Sequence, residues 1–140
     1  MVHALRDAWR VLGPDGTLVD LRPLSASFPI DAIIGSDAIR IGEADSATGA
    51  EDDRAADRSI QAQAQEGWLV PRYHAHIDIY FYWDTTAAMA DYMRTGRTLK
   101  QVTPSYAEVD AALQAVSART GAAARLRSTR RMTLASYTKG

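Results

Sequence analysis

Ten residues, His74 to Trp83, alternate without a break between side chains that suit a core and side chains that suit water or an interface. Ala75, Ile77, Ile79, Phe81 and Trp83 fall on one side; His74, His76, Asp78, Tyr80 and Tyr82 fall on the other. A period of two sends successive side chains to opposite faces of an extended chain, so the run predicts a strand over 68–83 with one face covered. Such a strand needs neighbours in a sheet and helices over its apolar face, which points to an α/β protein.

Other segments supply those layers. Leu5, Ala8, Trp9 and Leu12 share one face at helical spacing and predict a helix over 3–12. Gly13 and Pro14 stop it, Pro14-Asp15-Gly16 is turn chemistry, and Thr17–Leu21 reads as a short strand closed by Arg22-Pro23. Residues 24–37, with Pro29 and Gly35, read as a connection, and Ala38–Ile41 as a short strand ended by Gly42. The polar, acidic stretch 44–54 reads as a mobile loop running into a helix over 55–66 that Gly67 ends.

After the long strand, Asp84 or Thr85 is placed to cap a helix carrying Met89, Tyr92 and Met93. Ser105 with Glu108 three residues on is a capping-box pattern, ahead of a face of Tyr106, Val109, Leu113 and Val116. Gly121 ends that helix, and 126–138 is a last strand with Leu126, Met132 and Leu134 on one side. Trp9 and Met89 read as core. The expected architecture is one domain over 1–140, a small mixed sheet with flanking helices.

Composition narrows the function classes. A formal charge of −1 leaves no basic field to attract nucleic acid. The absence of cysteine removes disulfides, thiolate metal sites and cysteine nucleophiles, and it suits a reducing, cytoplasmic setting. No apolar run approaches the ~20 residues that span a bilayer. The amphipathic start carries charges inside it and does not read as a secretory signal.

The stretch Leu5-Arg6-Asp7-Ala8-Trp9-Arg10-Val11-Leu12-Gly13-Pro14-Asp15-Gly16-Thr17-Leu18 resembles the L-x-E-x-x-R-V-L-x-P-G-G-x-L segment of class I, Rossmann-like, S-adenosylmethionine-dependent methyltransferases. In that family the segment is the helix leading into the fifth strand of a seven-stranded sheet. Asp7 stands where the family usually has Glu, Asp15 where it usually has Gly, and Gly13 where Lys or Arg is common. The resemblance implies the C-terminal half of such a fold, with a buried parallel strand at 17–21.

The family's cofactor-holding residues all lie before this segment, so none is carried over and no cofactor-binding residue is assigned. Gly13-x-x-Gly16 lies between a helix and a strand, the wrong order for a nucleoside cradle. S-adenosylmethionine is expected only if an N-terminal half is supplied. A strand at 17–21 without its usual neighbour would leave an edge open, which predicts a homodimer formed there.

The remaining chemistry is sparse. His74, His76 and Asp78 project from one strand face, where two imidazoles and a carboxylate suit a metal or a base with its orienter. The competing explanation is the solvent side of a half-buried strand, and the alternation alone accounts for it. Tyr80 and Tyr82 are candidates to line a substrate pocket, and Arg22 at a strand end is a candidate anion contact. Arg125, Arg127 and Arg131 share a face of the last strand, with Asp78 or Glu43 as expected cross-strand partners.

The expected function is a methyltransferase-like protein without methyl transfer as an isolated chain. A stand-alone dimeric α/β module binding a small ligand or protein partner is the alternative. A metal-dependent enzyme using His74, His76 and Asp78 is the third reading.

Overall fold

The computed structural model describes residues 2–24, 27–45, 47–95 and 101–140. In chain order they form α1 (Val2–Val11), β1 (Thr17–Pro23), β2 (Ser27–Ile34), β3 (Asp37–Asp45) and α2 (Ala47–Gln65), then β4 (Leu69–Trp83), α3 (Thr86–Thr95), β5 (Gln101–Thr103), α4 (Tyr106–Thr120) and β6 (Arg125–Lys139). The chain is α/β, with a six-stranded antiparallel sheet. It divides into two compact units, one of residues 1–24, 50–77 and 131–140, the other of 25–49 and 78–130.

In the first unit β1 runs antiparallel to the end of β6, from Thr17 opposite Thr138 to Pro23 opposite Met132. This corrects the parallel, buried strand expected at 17–21. Val19 is 60% exposed and Leu21 49%, so the outward face of β1 is uncovered. The turn before it closes on a Gly16 amide donating to the Gly13 carbonyl at 2.9 Å. A Cβ on Gly16 would stand 2.8 Å from Leu12 Cδ2, so the tight reversal needs glycine there.

The helix α1 is held by aromatic and cationic contacts. Trp9 lies against Trp68 with ring centres 5.0 Å apart, and the Lys139 ammonium sits 4.0 Å over the Trp9 ring while donating to the Leu12 carbonyl. Along α2, Ala56, Ile60 and Gln63 are the buried positions, one face at i, i+4 and i+7. The helix starts at Ala47, so the loop expected over 44–54 is strand to Asp45 and helix from 47. Glu51, Asp52 and Asp57 are exposed, which hid the helix from a hydrophobic reading. At its end Gly67 takes φ 79°, as expected of a terminating glycine.

In the second unit the strands neighbour one another in the order β6, β2, β3, β5, and α3 and α4 complete the core. Phe28, Ile30 and Ala32 alternate along β2 and bury beside Met89, Met93, Val109, Leu113, Val116 and Leu126. Residues 27–34 are therefore a strand, not part of a connection. Gly35, at φ 58°, and Ser36 alone join β2 to β3, and the first position of such a two-residue turn favours glycine.

Gly42 does not end β3. It lies inside the strand where the chain passes α4, and a Cβ there would meet Val109 Cγ2 at 3.1 Å and the Thr103 carbonyl at 3.2 Å. The two capping expectations hold. Thr85 Oγ1 accepts from the Ala88 amide at 3.1 Å, and Ser105 and Glu108 form the reciprocal box that starts α4. Gly121 closes α4 in the left-handed conformation. Among the described residues no helix is long and apolar enough to cross a membrane.

Candidate functional site

Arg22 leaves the end of β1 and is consumed by its neighbours. Its Nε and Nη2 donate to the two Asp20 carboxylate oxygens at 2.6 and 2.7 Å. Nη2 also donates to Asp57 at 2.7 Å, and Nη1 to the Asp53 carbonyl at 2.9 Å. The Asp20 hydrogen bond raises the guanidinium's pKa, against the desolvation that lowers it. With 17% of its side chain exposed, Arg22 ties β1 to α2 and has no nitrogen left without a protein acceptor. It does not present an anion-binding head.

On β4 the alternation read from the sequence is the alternation of exposure: His74, His76, Asp78, Tyr80 and Tyr82 are exposed while Ala75, Ile77, Ile79, Phe81 and Trp83 are half-buried. His74 and His76 meet edge to face, ring centres 5.1 Å apart. Among the described residues no three His, Cys, Asp or Glu side chains are grouped to hold a metal ion. The geometry thus does not bring His74, His76 and Asp78 together as a ligand set.

In the second unit the tyrosines carry cations. The Arg127 guanidinium lies 5.2 Å from the Tyr80 ring centre and that of Arg125 5.6 Å from Tyr82. Arg125 and Arg127 take carboxylate partners other than Asp78 and Glu43. Arg125 pairs with Asp84 at 2.6 Å, and Arg127 with Asp31 at 3.0 Å. Glu43 accepts instead from the Ser27 hydroxyl across the β2–β3 ladder. The Asp31 hydrogen bond raises the Arg127 pKa, with desolvation opposing it.

Asp31 is the residue that sequence reasoning missed. It is 6% exposed and also receives Arg40 Nε at 2.9 Å. The signal available was an aspartate inside the apolar run Phe28-Pro29-Ile30-Asp31-Ala32-Ile33-Ile34. Such a residue, once buried, requires cationic partners. Tyr80 and Tyr82 therefore belong to a neutralised, ion-paired face rather than to a pocket.

A cleft lies elsewhere, in the first unit, where α2 faces Pro71–His74 of β4 and Tyr137 of β6. Only His74 among the sequence candidates reaches it. The chain matches no protein-family model, no curated protein and no solved structure.

Proposed function

We propose that this chain is a methyltransferase-like α/β unit that neither binds S-adenosylmethionine nor transfers methyl by itself, and that the open edge of β1 is the seam for a cofactor-binding segment. One observation carries the reading. The segment that resembles the family is built as helix, glycine turn and strand, and among the described residues its strand pairs only with β6. An end strand with one edge unpaired among the described residues, and with Val19 and Leu21 exposed on its face, is open to a further strand. The near-neutral charge and lack of cysteine accord with a cytoplasmic protein that has no nucleic-acid partner.

One experiment tests this. Calorimetric titration of the chain with S-adenosylmethionine is expected to show no heat of binding, and saturable binding at micromolar cofactor overturns the claim.

The same open edge favours a second reading for the chain in isolation. A second copy takes the place of the missing neighbour, giving a homodimer paired along β1. Sedimentation at low micromolar concentration is expected to show that dimer, and a stable monomer refutes it.

A further inference from the structure

We propose that the cleft between α2 and the strands β4 and β6 binds a small aromatic carboxylate. The cleft is open to solvent and has a volume of about 410 Å³, within the roughly 300–1,000 Å³ of small-molecule sites. Ile60 and Ala64, one turn apart on α2, give it an apolar wall together with Pro71. Tyr73 and Tyr137 contribute two aromatic rings, surfaces on which a flat ligand stacks.

Its one guanidinium is only partly used. Arg72 Nε donates to Thr138 Oγ1 at 2.9 Å, which fixes the guanidinium. Among the described residues no carboxylate stands within ion-pair distance of it, whereas Arg22, Arg40, Arg94, Arg125 and Arg127 each have one. The Arg72 terminal nitrogens are thus a held, paired set of donors of the shape a carboxylate accepts. Gln61 and His74 beside it supply further hydrogen-bonding groups.

The lining selects among anions. One guanidinium among apolar and aromatic walls balances a single negative charge on a ring and leaves the second charge of a phosphate dianion without a counter-charge. Burial raises the Tyr137 pKa, so the phenol stays protonated at neutral pH and can donate to the ligand. The site does not depend on the methyltransferase reading, because every residue in it is outside the segment that carries the resemblance.

The test uses the full chain with naphthoate and its neutral isostere naphthamide, followed by calorimetry. Saturable one-to-one binding of naphthoate is expected, with naphthamide weaker by roughly tenfold, the usual size of a hydrogen bond to a charged group. Arg72→Gln, at an exposed position, is expected to reduce naphthoate to the level of the amide. Ala64→Phe, which fills the cleft, is expected to weaken both. Absence of saturable naphthoate binding at millimolar concentration overturns the proposal. Equal affinity of the two probes for the parent chain also overturns it, and that comparison requires no variant to fold.

Discussion

A carboxylate that is almost wholly removed from water must gain back its lost hydration from cations, and Asp31 does so from Arg127 and Arg40. The two contributions are unequal. Arg40 is mostly in water and worth little, while Arg127 is 23% exposed and would keep its charge in a partly dry place if the carboxylate were removed. Asp31→Ala is therefore expected to destabilise the protein by about 3 kcal/mol in denaturant unfolding. A loss of less than ~1 kcal/mol would mean that water reaches Arg127 freely. Gly42 makes a steric prediction at the same scale. Its missing Cβ leaves room for Val109 and the Thr103 carbonyl, so Gly42→Ala is expected to cost about 1–2 kcal/mol by overpacking. An unchanged melting temperature would show that α4 shifts at no cost.

Among the elements, α4 is the one whose start can be titrated. Glu108 accepts from the Ser105 hydroxyl and the Ser105 amide, and those bonds hold its pKa below the ordinary glutamate value, desolvation acting weakly against them. A folded-state pKa that is depressed contributes stability above the unfolded value, near 4.3 for glutamate, and loses it as pH falls through the folded value. Thermal melts of Glu108→Gln are expected to fall less steeply than those of the parent over that acid window. Ser105→Ala removes the cap itself and is expected to cost about 1 kcal/mol at neutral pH. Identical acid limbs for parent and Glu108→Gln would show that the box does not titrate with folding. The helix was legible in the sequence because its signals are local: a cap, an acid three residues on, an apolar face and a glycine. The long strand was legible for the same reason, its alternation being contained in the run itself. What escaped was set by distant partners. Asp31 reads as a loop residue until Arg127, ninety-six positions away, neutralises it, and Gly42 reads as a strand end until α4 passes over it. The cleft escaped likewise, since Ile60, Arg72 and Tyr137 meet only when three elements are in place.

For the molecule as a whole, the open strand edges decide how it behaves in solution. Among the described residues β4, like β1, has a strand partner only in β6. The exposed face of β4 carries Arg72, His74, His76 and Asp78, and charged side chains of that sort discourage a second chain. Beside the β1 edge stand Val19 and Leu21, which offer the opposite inducement. Burying a Val or Leu side chain contributes about 1.5–3 kcal/mol each, and a symmetric pair of copies counts both residues twice. That sum, with a new strand ladder, is of the size of the roughly 4–15 kcal/mol lost on association. A reversible dimer is the expected result, so the melting temperature should rise with protein concentration. Val19→Lys and Leu21→Lys together place two cations per copy at the seam, where like charges face one another. The double variant is expected to sediment as a monomer and to melt independently of concentration, at the temperature of the dilute parent. If it associates as the parent does, β1 is not the seam, and the proposal that a cofactor-binding segment pairs there loses its structural ground.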